Sequence, residues 1–166
     1  MSFSSTNRGD EALRLKRHLH ETFASCDTSN PDDRACSAHI IIVGGGASGV
    51  EVAGELAVYA RTVASKHGID PDAVKVDLVE AAPRILQNFP ESFSRRIESR
   101  LRSIGVNVIV SQSVTEQEIG EVHLRDMEMK TKTVVWTAGA KPHHLYGSLP
   151  GVERDRNGRI VVDGAL

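Results

Sequence analysis

Three glycines, Gly44, Gly46 and Gly49, fall in the pattern G-x-G-x-x-G within the run Gly44-Gly45-Gly46-Ala47-Ser48-Gly49. The pattern alone describes many purely structural turns, so its flanks decide its meaning. It directly follows a β-branched run, Ile40-Ile41-Ile42-Val43, and directly opens an Ala- and Leu-rich stretch of helical spacing from Val50 to Ala64. A turn placed there aims the first backbone N–H groups and the positive dipole end of a helix at one spot, where an anion is favoured. Gly44 permits the tight turn, Gly46 lets a diphosphate approach the main chain with no side chain in the way, and Gly49 lets helix and strand pack closely. The implied chemistry is a cradle for the pyrophosphate of a dinucleotide.

Such a cradle needs a second group, an acid at the end of the next strand to accept hydrogen bonds from the adenosine ribose. Glu80 ends the run Val74 to Val79 and is the candidate, although it stands further from the glycines than the roughly 20 residues usual. The excess is assigned to Arg61 to Ala73, a polar insertion containing Gly68 and Pro71. A carboxylate there gains about 1.5–3 kcal/mol from each ribose hydroxyl bond and repels a 2′-phosphate, which predicts NAD(H), not NADP(H). Arg84, close behind Glu80, is the residue that argues the other way, because a nearby arginine is what a 2′-phosphate would seek. Glu51, just past the last motif glycine, has two readings from position alone: a ligand group, or a carboxylate in the first helical turn favoured by the dipole.

Other residue types with chemical capacity give less. Cys26 and Cys36 fit neither a disulfide framework, nor a CxxC redox pair, nor zinc-ligand spacing, and read as plain thiols. His143-His144 and His18 with His20 lack a third ligand at sensible spacing, so no metal is expected. Ser48 is not in a G-x-S-x-G context, so no nucleophile elbow and no catalytic residue is assigned. Trp136 reads as core, with its ring near the cofactor end of the sheet.

The elements that must position these groups alternate in period. Residues 1–9 read as a flexible leader. Residues 10–37 hold an N-terminal helix, capped by Asp10 and carrying an apolar stripe of Leu15, Leu19, Phe23 and Cys26, followed by a linker over Asp27 to Asp33. Residues 38–141 then alternate strand and helix: strand Ile40 to Val43, helix from Val50, strand Val74 to Val79, a helix marked by Phe93, Ile97, Leu101 and Ile104 and stopped by Gly105, and strand Val106 to Val110. Val122-His123-Leu124 and Glu128-Met129-Lys130 predict a small antiparallel excursion turning at Gly120, after which Thr133 to Trp136 returns as a buried strand ending in Thr137-Ala138-Gly139. Residues 142–166 are read as a loop with Pro142 and Pro150, a turn at Asp155-Arg156-Asn157-Gly158 and a last strand, Arg159 to Asp163. The fold class is α/β: a Rossmann-like parallel sheet with helices on both faces, reached by right-handed crossovers.

Composition excludes several classes. With 166 residues, one domain is expected. A hydrophobic share of 40% against 25% charged is too apolar for a disordered chain, and a net charge of -2 without basic blocks argues against nucleic acid as a partner. There is no run long enough to span a membrane and no apolar signal core, so the chain reads as cytoplasmic. Nothing in it bars a homo-oligomer.

The runs IIVGGGASGVEVAGELA, VDLVEAAPRIL, RLRSIGVNVIV, VVWTAGAKPH and GRIVVD together resemble the NADH-binding domain of the pyridine nucleotide-disulfide oxidoreductase superfamily. Their order and wording are most similar to type II NADH dehydrogenase, the single-chain NADH:quinone reductase, and the EALRLKRHLHETF helix resembles the segment leading into that domain. The resemblance implies that Gly44, Gly45, Gly46 and Gly49 line the pyrophosphate site, with Ala47 and Ser48 supplying amides. It implies that Glu51 approaches the nicotinamide ribose or carboxamide, that Glu80 with Ala81 beside it binds the adenosine ribose, and that Ala138 and Gly139 pass beneath the nicotinamide. It further implies a partner FAD domain in the same parent chain, with quinone or another acceptor beyond it and the parent peripheral on the cytoplasmic membrane face. The absence of a Cys-x4-Cys pair argues against the disulfide-reductase branch. With no second glycine motif, no closing Gly-Asp and no side chain able to accept a hydride, the chain is expected to bind NADH without turning it over. A stand-alone NAD(H)-sensing module is the other reading, and a turn that holds FAD or S-adenosylmethionine is the third.

Overall fold

The computed structural model describes residues 2–4, 8–139, 151–155 and 160–163. Strand β2, His39–Val43, is the axis of the fold. Its Ile40, Ile41 and Ile42 are each fully buried, so both faces of the strand must be covered, which is what an uninterrupted β-branched run demands. Beside it lie β3, Lys75–Val79, and then β4, Val106–Ile109; on its other side lie β8, Thr133–Trp136, and β1, Ser2–Ser4. All five pair in parallel in the order β1-β8-β2-β3-β4. The chain therefore moves outward from β2 to β4 on one side and then returns to the opposite side as β8. That reversal of direction beside β2 is where open α/β sheets leave a crevice at the carboxyl ends of their strands.

One face is helical. Helix α1, Arg8–Ala24, brings Leu19 and Phe23; α3, Ala47–Lys66, brings Leu56, Ala57, Ala60, Val63 and Ala64; α4, Glu91–Ser103, brings Leu101. These meet Ile40, Ile42, Val76, Leu78, Val108 and Val135 in one cluster, each large side chain contributing about 1.5–3 kcal/mol by leaving water. The alanines of α3 let it lie close on the sheet. Ile41, Val43, Val79 and Val134 point the other way, and there an antiparallel sheet covers them: β5, Val114–Glu118; β6, Glu121–Leu124; and β7, Glu128–Lys130. Val122 and Leu124 of β6 fill that second core. The Rossmann-like architecture is as expected, with this sheet taking the place of helices on the second face.

Four local expectations are corrected. Helix α1 begins at Arg8, so Asp10 lies in its first turn instead of capping it. The expected linker contains a helix, α2, Pro31–Ser37, because the Asn30 side chain accepts from the amides of Asp32 and Asp33 and Pro31 takes the first helical position. Ser2–Ser4, expected in a mobile leader, form the edge strand beside β8. Much of the supposed insertion after Arg61 is simply more of α3, which runs on to Lys66 before a single 3₁₀ turn at Pro71–Ala73. In the tail, Arg154 bridges Ile160 in antiparallel fashion, while Pro142, His143, His144, Pro150 and Arg156 to Arg159 lie outside the described residues.

Candidate functional site

The glycine run sits at the carboxyl end of β2, in the crevice predicted by the strand order, and its four glycines are bare for different reasons. Gly44 has φ +112°, a left-handed backbone that a side chain would strain. A Cβ on Gly49 would stand 1.8 Å from the Gly44 carbonyl oxygen, so α3 can reach the loop only without one. At Gly45 a Cβ would meet Glu80 Cβ and Ile85 Cγ2, each at 2.9 Å. At Gly46 it would meet nothing within 4 Å. The fold thus dictates three of the glycines and leaves the bareness of Gly46 unexplained by the protein's own packing.

Gly46 also occupies the cap position of α3, with φ -73° and ψ -178°. It has no side chain to close the helix end, in contrast to Asn30 at α2. The first amides of a helix have no intrahelical acceptor, so those following Gly46 suit an anion. Gly46, Ala47 and Ser48 are exposed, while Gly44, Gly45 and Gly49 are buried. Glu51 is exposed and lies beyond the first turn, which carries no acid. Because a helix dipole acts mainly within that first turn, the dipole no longer accounts for this glutamate.

Glu80 follows β3 and turns toward the loop. Its Oε2 accepts the Gly45 amide at 2.5 Å and its Oε1 accepts the Ala82 amide at 2.8 Å. Ala81 is exposed beside it. Arg84 is turned elsewhere: its guanidinium donates to the carbonyls of Leu86, at 3.0 Å, and Gln87, at 2.7 Å. An arginine committed to two main-chain oxygens is poorly placed to receive a 2′-phosphate.

Ala138 and Gly139 follow β8 and are exposed at the same end of the sheet. The Ala138 amide donates to the Val43 carbonyl at 3.1 Å, which fixes this segment against the glycine run. Sequence reasoning passed over Thr137, whose hydroxyl donates to the carbonyls of Val43, at 2.9 Å, and Gly44, at 3.0 Å. It also passed over Leu86, whose amide donates to the Gly45 carbonyl at 2.7 Å, and the buried Ser94, whose hydroxyl donates to Ile85 at 2.6 Å. A hydroxyl residue directly after a buried strand was the available signal for Thr137; contacts like that of Leu86 are invisible without the fold. Trp136 is half-buried, and its indole N–H donates to Gln117 Oε1 at 2.9 Å.

The candidate groups from three strand ends thus converge on one crevice that combines bare main chain, an open helix end and an acid. A family model described as pyridine nucleotide-disulphide oxidoreductase matches residues 6–166. A type II NADH:quinone oxidoreductase of Staphylococcus saprophyticus is 34% identical over 156 residues, which covers 91% of this chain and 38% of that protein. The type II NADH:quinone oxidoreductase Ndh of Mycobacterium tuberculosis is 30% identical over 165 residues, covering 92% and 35%. The chain spans about a third of the length of the curated relatives it matches. Among solved structures, a FAD-dependent pyridine nucleotide-disulphide oxidoreductase from Desulfovibrio vulgaris is 26% identical with a TM-score of 0.63, covering 98% of this chain and 36% of that one. NDH2 from Plasmodium falciparum, solved in complex with NADH, shares the fold at a TM-score of 0.73 and 17% identity, over 82% of this chain and 30% of that one.

Proposed function

The chain belongs to the pyridine nucleotide-disulphide oxidoreductase family, and from that premise we propose that it is the NADH-binding module of a flavin-dependent NADH dehydrogenase. The observation that carries this reading is Gly46. Its Cβ position opens onto empty space at the head of an uncapped helix, and the Glu80 carboxylate holds the neighbouring glycine. In this reading the amides after Gly46 hold the diphosphate. Glu80 accepts from the adenosine ribose hydroxyls through the lone pairs its two amide partners leave unused, since an ionised carboxylate has about four. Glu51 and the Ala138-Gly139 turn flank the nicotinamide end.

When bound, NADH supplies a hydride, and FAD held by another part of the parent protein would receive it before quinone or another acceptor is reduced. This chain's contribution is positional: it fixes the dinucleotide by its diphosphate and ribose, so that the nicotinamide is presented in one orientation. The names of the relatives, type II NADH:quinone oxidoreductases, support a quinone as the final acceptor. Among the described residues no helix is long and apolar enough to cross a membrane.

Fluorescence titration of the chain with NADH, NADPH and FAD is the direct test. NADH should bind tightest, and preferential binding of FAD or of NADPH would refute the reading. Gly46→Val gives the sharper form. Nothing within 4 Å obstructs a Cβ there, so the variant should keep its unfolding midpoint and lose at least about tenfold in NADH affinity, the equivalent of 1.4 kcal/mol. A folded variant that binds NADH normally would remove the basis for the site.

A further inference from the structure

Resting on that reading, we infer that Glu80 is also the positioning residue of the diphosphate loop, so that one carboxylate joins the sugar and phosphate halves of the site. Gly45 is gripped on both sides of its own residue. Its amide donates to Glu80 Oε2 at 2.5 Å, and its carbonyl accepts from the Leu86 amide at 2.7 Å. The Ala82 amide holds the other carboxylate oxygen at 2.8 Å. The segment carrying these groups is itself anchored: Glu80 donates its amide to Ile109, the Ser111 amide donates to Ala82, and the Gln112 amide donates to Glu80. Leu86 is held at φ 51°, a backbone conformation that non-glycine residues seldom adopt, and Ser94 holds the preceding carbonyl from α4.

This arrangement explains why the motif's second position is glycine here. A Cβ on Gly45 would press on Glu80 and Ile85, not on any ligand. It also divides the loop's amides into two classes. Gly45's is consumed by Glu80 and is lost to the diphosphate, while those beyond Gly46 remain at the open helix end. Glutamine cannot take over the task. It offers one acceptor oxygen and an NH2 group, so one of the two backbone N–H groups would face another donor.

The test separates the two roles with a ligand that lacks the ribose hydroxyls, the 2′,3′-dideoxyadenosine analogue of NADH. If Glu80 served only the sugar, this analogue would bind wild type and Glu80→Gln equally. We expect it to bind Glu80→Gln at least about tenfold more weakly, the size of one charge-assisted hydrogen bond. Hydrogen exchange of the unliganded wild-type chain, followed by NMR, needs no variant. The Gly45 amide should exchange far more slowly than those of Ala47 and Ser48. In Glu80→Gln its resonance should move and its protection fall while α4 amides keep theirs. Equal analogue affinities, or a Gly45 amide that exchanges as fast as its exposed neighbours, overturn the inference. Failure of wild type to bind NADH would instead sink the functional reading, and Gly45 exchange would still decide whether Glu80 holds the loop.

Discussion

The two ends of the parallel sheet are built on opposite principles. At the amino end, polar groups are matched to one another. His39 Nε2 lies 2.8 Å from Asp77 Oδ2, and its Nδ1 lies 2.8 Å from the Lys130 carbonyl. Lys132 pairs with Asp33, and Thr131 donates to His39. At the carboxyl end main-chain amides, the Thr137 hydroxyl and the Glu80 carboxylate are arranged around Gly46, whose Cβ position has nothing within 4 Å. An opening of about 690 Å³, lined by Asp32, His39, Asp77, Asn107 and Met129 among others, lies at the amino end. The amino end holds the sheet to its covering elements, and the carboxyl end leaves the main chain from Gly46 to Ser48 exposed at the head of α3. Substitutions at one end should move stability alone, and the contrast can be broken by any that do not.

Gly49→Ala should have the largest effect, and it acts through the fold. Its Cβ would lie 1.8 Å from the Gly44 carbonyl and 2.7 Å from Thr137 Oγ1. Relief requires α3 to move off the sheet, a cost of about 3 kcal/mol or more. Chemical denaturation should show a collapse in the midpoint, where Gly46→Val leaves it in place. If Gly49→Ala is as stable as wild type, the close approach of helix and loop is not what holds this end together.

At the opposite end, His39→Ala should cost about 2 kcal/mol, because it removes the hydrogen-bond partner of the buried Asp77 side chain. NADH affinity should stay within about twofold, since the lost contacts lie at the far end of β2 and β3. A large change in affinity at unchanged stability would show that the two ends are not independent. Arg84 offers a finer probe within the site. Arg84→Met removes the donors to Leu86 and Gln87 and should loosen the segment that grips Gly45, weakening NADH severalfold, about 1 kcal/mol. The ratio of NADH to NADPH affinity should not change. A selective loss of NADPH would identify the guanidinium as a phosphate ligand after all.

Periodicity exposed the parts of the molecule whose side chains are sorted by burial. The isoleucine run of β2, the alanine stripe of α3 and the apolar spacing of α4 each write their surroundings into the sequence, and so does the glycine motif. Where one residue type serves two structures, sequence reasoning chose the wrong one. Asn30, Pro31 and Asp32 mark loops and helix starts alike, and α2 was hidden in that ambiguity. Strand β5, with Thr115, Glu116 and Glu118 exposed, has almost no apolar pattern to read. At the site, the position of Glu80 was legible because a strand end announces itself. Its bond to Gly45 and the turning away of Arg84 were not, since both depend on how the loop after β3 folds back over the glycines.

The smallest expected effect returns to the amino end and tests whether its matching is tuned for neutral pH. His18 on α1 places Nε2 3.1 Å from the Lys132 carbonyl and 3.0 Å from Thr133 Oγ1, joining the helix to the start of β8. Burial lowers its pKa from the ordinary value of 6.5, although the hydrogen bond to Lys132 and the nearby Glu21 carboxylate act in the other direction. A histidine whose folded pKa is depressed binds fewer protons in the native state than in the unfolded chain. Stability therefore falls as the pH drops below about 6.5, and this loss levels off once the pH passes beneath the folded value. The unfolding midpoint of wild type should decline across that window, and His18→Gln should flatten the decline while leaving the acid-side loss at Asp33 in place. Asp33 has its pKa lowered chiefly by its hydrogen bond to Lys132, so its contribution is present above 3.8 and disappears below it. A variant profile parallel to that of wild type between pH 7 and 5 would mean that His18 is no more desolvated than in the unfolded chain. The contact between α1 and β8 would then owe its stability to apolar burial by Leu19 and Phe23 rather than to the matched polar groups of this end.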